Sequence, residues 1–309
     1  MINIYKSTNH RLETVDTPTE GCWVNVVDPS VQEIAQIEEL GIPADFVTHS
    51  LDIDERAHTE RNDGIVLIVL RVPYEEDAKA QIPYSTVPLG IILTNTLIVT
   101  ICRTETSVVR KFITGQIPEL STVKKNRFVL HLLLRTAVQY LEYLRGIDSS
   151  VDALEDRLYR SLQNKEVMDL LKYQKSLVYF TTALKSNELM LERMQKGQLF
   201  QAYPEDAELL EDVLIEIRQA IEMTYISENI LSQMMDAFAS IISNNLNVVM
   251  KILTSITMVI SLPTLIASLY GMNVSLPGQH YPYAFALTLL VSLMISAIVV
   301  IVFWKKKWL

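Results

Sequence analysis

Between Asp236 and Gly271 the chain places a line of side chains, most of them polar or small, at steps of three and four residues: Asp236, Ser240, Ser243, Asn247, Met250, Leu253, Thr257, Ser261, Thr264, Ser268 and Gly271. On a helix that spacing draws one line along one face. Most of the line is neutral oxygen set in otherwise apolar sequence. Several such helices around an axis would present hydroxyl and amide oxygens to a cation and its water. Met250 and Leu253 would then be apolar collars able to close the path by dewetting. The same residues also suit close helix packing, with hydroxyls bonded back to their own backbone. Asp236, below Asn247 on the line, would make an inner acidic ring, costly unless wet or cation-filled. Asn273, just past Gly271 and Met272, offers an amide oxygen to an ion or, alternatively, a cap to the helix end. Lys251 and the run Lys305, Lys306, Lys307 would form a basic collar able to reach lipid phosphates.

These residues need apolar helices to hold them. Residues 248–270 and 284–304 are each long enough to span a bilayer, which takes ~20 residues. The first carries Lys251 and Pro263 and taken alone also suits a buried core helix. The second has neither charge nor proline. The basic tail after it marks the cytoplasmic flank, so two spans and a short loop predict both termini in the cytoplasm, in the inner or plasma membrane. The first residues, MINIYKSTNHRL, lack the apolar stretch of a signal peptide. Two spans in one chain cannot enclose a pathway, so conduction along the oxygen line requires several copies.

Upstream, short β-rich runs at 2–5, 23–27, 65–71, 87–93 and 97–103 predict strands. Thr94-Asn95-Thr96 splits a hairpin formed by 89–93 and 97–101. Asp28-Pro29-Ser30 opens a helix running to residue 40. The fold class expected is therefore an α/β domain over 1–125, then charged antiparallel helices over 126–203, broken near Gln163-Asn164. A stalk helix over 204–270 continues into the first span, since no proline or glycine falls between Pro204 and Pro263. Residues 271–283 are the outer loop, 284–304 the second span and 305–309 the basic tail. The apolar stripe of the stalk runs through Leu210, Leu214, Ile217 and Ile221, breaks at Thr224 and Glu228, and resumes at Leu231, Met235, Phe238 and Ile242. A helix of this length has more surface than the small domain can cover, so identical neighbours are expected.

The 309 residues are 49% hydrophobic and carry 27 Lys+Arg against 36 Asp+Glu, a net charge of −9 that argues against binding a phosphate backbone. Two cysteines, Cys22 and Cys102, each inside an apolar run, exclude a disulfide scaffold and suit reduced structural thiols. Gly-x-Ser-x-Gly, a Walker loop, Gly-x-Gly-x-x-Gly and His-Glu-x-x-His are absent, and His58-Thr59-Glu60 lacks the second histidine. No enzyme is indicated and no cofactor is expected. A receptor or scaffold anchored by two spans would not need the oxygen line.

At the outer end of the first span stands Tyr270-Gly271-Met272-Asn273. It follows a long helix containing Ser243-Asn244-Asn245-Leu246-Asn247-Val248-Val249-Met250-Lys251 and precedes a short loop, a last span and Lys-Lys-Lys-Trp-Leu. In these features, from about Asp236 to Leu309, the sequence resembles the CorA family of divalent-cation transporters, whose signature is Gly-Met-Asn. The resemblance implies a funnel-shaped homopentamer, with five first spans around the axis, five second spans outside and a large cytoplasmic domain. It also implies a selectivity filter of Gly271, Met272 and Asn273 and passive, potential-driven Mg²⁺ influx. Divalent ions bound between neighbouring cytoplasmic domains would hold the pore closed. Asp212 matches one such acidic position, and its partner on the next copy would come from Asp52 and Asp54, with His49 standing where an acid is usual. A solvated charge run is the other reading of Asp52 and Asp54. The outer loop carries no carboxylate, and His280 is its one titratable group besides tyrosines. Five imidazoles there would favour Zn²⁺, Co²⁺ or Ni²⁺, so transport of those ions, with or without coupled protons, is the alternative; the expected partners are other copies of the chain, membrane lipids and divalent cations.

Overall fold

The computed structural model of the chain describes all residues except 9–10, 78–79, 118–119, 162–163, 201–202, 274–277, 279–281, 307 and 309. The chain divides into two units, Met1–Gln233 and Met234–Leu309.

The first unit is built on a seven-stranded sheet. Its strands are β1 (Ile2–Thr8), β2 (Arg11–Thr14), β3 (Cys22–Val27), β4 (His58–Asn62), β5 (Ile65–Glu75), β6 (Tyr84–Leu93) and β7 (Ile98–Cys102), in the order β2-β1-β3-β7-β6-β5-β4. All neighbours are antiparallel except β3 and β7. The β6–β7 pair is the expected hairpin, with Leu93 opposite Ile98 and the Thr94 amide donating to the Leu97 carbonyl at 3.0 Å. Both faces of the central strands are covered, which is why they read as near-continuous apolar runs. On one face Cys22, Val24 and Val26 pack with Leu67, Val69, Val99 and Ile101 under α1 (Val31–Glu39) and α2 (Ala44–Leu51). The alternate residue Trp23 points to the other face, where its ring meets Phe112 of α3 (Ser107–Ile113) and Phe128 of α4 (Lys125–Ser161). Its buried indole N–H donates to Thr100 Oγ1 at 2.8 Å, and that hydroxyl donates to Asn25 Oδ1 at 2.9 Å.

The predicted start of α1 is present with both halves of a capping box: Ser30 Oγ accepts the Glu33 amide, and Glu33 accepts the Ser30 amide. Four short elements, β2, β4, α2 and α3, have no counterpart in the sequence expectations. The edge strands β2 and β4 are polar, and the two helices have seven or eight residues, too few for a 3.6-residue period to show.

Two long helices follow, α4 and α5 (Asn164–Lys196), and then α6 (Pro204–Tyr270), 67 residues that include Pro263. In the first unit α6 is tied to α4 by Arg127 with Glu205 and Asp206, and by Ser227 donating to Asp148. Arg218 joins it to Glu188 and Glu192 of α5. Its buried row is Leu210, Val213, Leu214, Ile217, Ala220, Thr224, Ser227 and Leu231. The buried row runs on through the polar positions at which the apolar stripe breaks. Thr224 is fully buried with its hydroxyl satisfied by the Ala220 carbonyl at 2.7 Å, and Glu228 accepts from Thr181 at 2.8 Å.

In the second unit α6 continues to Tyr270, and α7 (Ala284–Lys305) follows the loop. Both helices are long and apolar enough to cross a membrane. Ser255, Val259, Leu262 and Ile266 of α6 are buried or half-buried, Ser292 and Ser296 of α7 are buried, and the two helices meet where Ser296 reaches Val259. Proline at 263 has no N–H, so the Val259 carbonyl loses its intrahelical donor. The Ser296 hydroxyl stands 3.4 Å from that oxygen and 3.1 Å from the Ser292 carbonyl, so its proton is shared between them. Neighbouring-helix hydroxyls are what make proline tolerable in lipid.

Candidate ion pathway

The polar line lies along an exposed part of α6. Asp236, Ser240, Ser243, Asn247, Met250, Leu253, Thr257, Ser261, Thr264 and Ser268 are all exposed in one protomer. The covered positions 255, 259, 262 and 266 each stand two residues from a member of the line, about 200° around the helix. Thr257 and Ser261 also border an open hollow of about 340 Å³ with Val299, Val302 and Phe303 of α7.

The hydroxyl protons are committed inward. Ser240 donates to the Asp236 carbonyl at 3.0 Å, Thr257 to Leu253 at 2.8 Å, Ser261 to Thr257 at 2.7 Å and Thr264 to Ile260 at 2.8 Å. A hydroxyl has one proton and two lone pairs, so each of these oxygens is left as an acceptor toward the open side. This local bonding is the one that close helix packing also predicts. Its consequence for chemistry is a row of neutral acceptors.

Met250 and Leu253 keep more than half of their surface exposed, 57% and 56%, so both project from the bare face. Met250, with Asn244, Asn247, Lys251, Thr254 and Trp308, borders a hollow of about 330 Å³. Trp308 is held there by stacking on Phe303, with centroids 5.5 Å apart, and by its amide donating to the Phe303 carbonyl at 2.9 Å. Lys251, Lys305 and Lys306 are exposed; Lys307 lies outside the described residues.

Gly271 follows the last turn of α6, its amide donating to the Ala267 carbonyl at 2.9 Å. A Cβ on it would lie 3.3 Å from that same oxygen, so glycine lets the chain turn off the helix without displacing the carbonyl. Gly271, Met272 and Asn273 are all exposed, and Asn273 is the last described residue before 274–277. The sequence expectation for His280 falls outside the described residues.

Asp212 and the pair Asp52 and Asp54 lie on separate elements of the first unit. Asp212 is on the exposed side of α6, while Asp52 and Asp54 are exposed in the turn after α2, where Asp52 Oδ1 accepts the Asp54 amide at 3.1 Å. Among the described residues no hydrogen bond or ion pair joins Asp212 to either. The turn is gripped from below by Arg71, whose guanidinium donates to the carbonyls of Ile53, Glu55 and Thr86. Burial pulls the Arg71 pKa down, and nearby Tyr140 and Asp54 push it back up. Any cation reaching Asp54 competes with this fixed positive charge.

A family model described as a CorA-like Mg²⁺ transporter protein matches residues 19–307. The cobalt/magnesium transport protein CorA of Methanocaldococcus jannaschii is 28% identical over 299 residues, 93% of this chain and 91% of that protein. The magnesium transport protein CorA of Wolinella succinogenes is 37% identical over 98 residues, 31% of this chain and 30% of its own length. The complete structure of the CorA magnesium transporter from Methanocaldococcus jannaschii is similar with a TM-score of 0.85 at 25% identity, over 100% of this chain and 99% of that one.

Proposed function

We propose, from the premise that this chain belongs to the family of CorA-like Mg²⁺ transporter proteins, that copies of it assemble around an axis and pass Mg²⁺ inward across a cell membrane. The family is one of transporters rather than enzymes. The observation that carries the reading is the bare line of α6, whose hydroxyl protons turn into the helix and whose oxygens turn out. Mg²⁺ gives up its water reluctantly, and bound water presents hydrogens outward. A path for the hydrated ion therefore needs acceptors at its wall, and neutral ones avoid trapping it.

In the assembly, a pentamer by family resemblance, the α6 lines face the axis and the α7 helices lie outside. Asn273 amide oxygens with the Gly271 and Met272 carbonyls ring the outer mouth as the filter. Met250 and Leu253 narrow the path toward the inner end, and Asp236 rings its exit. Lys251 and Lys305 to Lys307 sit at the cytoplasmic surface among lipid phosphates, with both termini on that side. An inside-negative potential favours entry by ~2.3 kcal/mol per charge per 100 mV, about twice that for a divalent ion. Asp212 of one copy and Asp52 and Asp54 of the next hold intracellular Mg²⁺ and close the path.

The test is Mg²⁺ flux into proteoliposomes under an imposed inside-negative potential. Wild-type protein should carry Mg²⁺, Asn273→Ala should lose selective flux while assembling normally, and Asp212→Ala should resist closure by internal Mg²⁺. Undiminished flux in assembled Asn273→Ala would remove the filter assignment, and unchanged inhibition in Asp212→Ala would remove that residue as a sensor. Preferential Zn²⁺ flux that follows a pH gradient would instead favour the alternative ion set.

A further inference from the structure

A row of paired residues, Gly90 of β6, Val69 of β5 and His58 of β4, crosses the end of the sheet. Over it lies α2, so close that a Cβ on Gly90 would fall 1.8 Å from Ser50 Oγ. That contact fixes α2 on the sheet and with it His49, the residue before Ser50. His58 pairs with Val69 and Glu60 with Leu67. Both Val69 and Leu67 belong to the core beneath α2, so the two-residue period of the strand puts His58 and Glu60 on the same face as His49.

His49, His58 and Glu60 each offer one ligand atom, and these atoms all lie within 4.8 Å of one another. The two imidazoles are 5.7 Å apart at 74°. His49 Nδ1 is shielded from solvent and makes no hydrogen bond, and Glu60 Oε2 is 3.7 Å from it. That gap is too long for a hydrogen bond. It is close to the separation of two ligands on one tetrahedral ion, since two bonds of about 2.1 Å subtend about 3.4 Å. His58 Nδ1 stands 2.9 Å from the Arg56 carbonyl. A carbonyl only accepts, so Nδ1 carries the proton and Nε2 of the neutral ring keeps its lone pair. Glu55 Oε1, 3.4 Å from the same Nδ1, reinforces that tautomer.

We propose that His49, His58 and Glu60 form a binding site, within one protomer, for a transition-metal ion of the Zn²⁺, Co²⁺ or Ni²⁺ class. Two imidazoles and one carboxylate with an open fourth position suit those ions. Mg²⁺ demands octahedral oxygen and keeps its water, so it is a poor competitor here. The sequence shows His58-Thr59-Glu60 without a second histidine in the residues just after it; the fold supplies that histidine from upstream, across the α2–β4 turn. The site does not depend on which ion crosses the membrane.

The experiment is a titration of the full-length chain in detergent, stripped with a chelator, using Co²⁺ absorption and Zn²⁺ competition against a chromophoric chelator. Wild type and Asn273→Ala are titrated side by side, which separates this site from ions held on the transport path. One equivalent per chain with Co²⁺ bands of four-coordinate type is expected in both, beside any Co²⁺ that the all-oxygen ligands of the filter and of Asp212 take up. His58→Gln and His49→Gln should weaken Zn²⁺ by about a hundredfold, and Glu55→Gln by about tenfold. Should His58→Gln fail to fold, Glu60→Gln on the open side of the cluster gives the same reading. Unchanged Zn²⁺ affinity in the folded variants, loss of the bound equivalent in Asn273→Ala, or displacement of Co²⁺ by an equal concentration of Mg²⁺ would each overturn the proposal.

Discussion

A threonine in an apolar helix has one proton to place, and where it goes decides what the oxygen can offer an ion. In this chain Thr257 gives it to the Leu253 carbonyl and keeps its lone pairs toward the bare side. Valine has nearly the same shape without the oxygen, and serine has the oxygen without the methyl group. Thr257→Val should therefore reduce Mg²⁺ flux by about tenfold, in line with the loss of a hydrogen bond to a charged group. Thr257→Ser should remain near wild type, and both should assemble. Equal flux through the valine and threonine forms, measured in the same liposomes, would mean that this hydroxyl packs rather than conducts. Gly271 makes a parallel point about the backbone, since a Cβ there would press on the Ala267 oxygen at 3.3 Å, a tight contact that glycine avoids.

At the scale of elements, the pairing of α6 with α7 turns on Pro263 and Ser296. Ser296→Ala removes the side-chain donor near the Val259 carbonyl and should destabilise the unit by about 0.6 kcal/mol, the usual worth of an interhelical hydrogen bond in a membrane. Pro263→Ala restores the missing amide donor, so in that background Ser296→Ala should cost measurably less. Equal costs in the two backgrounds, read from unfolding in mixed micelles, would mean that the serine does not serve that carbonyl. Nothing in the sequence announces this pairing, because residues 263 and 296 are joined only by the packing of two helices. Elements with a strong local signal were legible: the helix start at Asp28-Pro29-Ser30, the β6–β7 hairpin around Thr94-Asn95-Thr96, and the uninterrupted run after Pro204. Polar edge strands such as His58–Asn62 were not, since a strand buried on little of its surface carries no alternation. The spacing of the oxygen line could be read from sequence. That Ser255, Val259, Leu262 and Ile266 are withdrawn from the exposed line, and that the hydroxyls donate inward, required coordinates.

For the whole molecule, the two units pose different demands on their surroundings. Residues Met1–Gln233 bury two apolar faces of a sheet between helices and hold α6 through paired charges. Residues Met234–Leu309 leave Ile256, Ile260, Leu265, Phe285, Leu290 and Leu293 exposed, an apolar surface that water does not tolerate and that lipid or neighbouring copies would cover. The proposed assembly gives each face one environment: water and cations on the oxygen line, neighbours and lipid elsewhere. Cysteine substitution in the assembled protein tests this most directly, because the native Cys22 and Cys102 are buried and silent, at 0% and 2% exposure. Single cysteines at Thr257, Ser261 and Thr264 should react with a water-soluble thiol reagent and block Mg²⁺ flux, whereas cysteines at Leu262 and Ile266 should remain unmodified. Equal labelling of the two sets, or labelling confined to Leu262 and Ile266, would contradict an ion path along this face of α6.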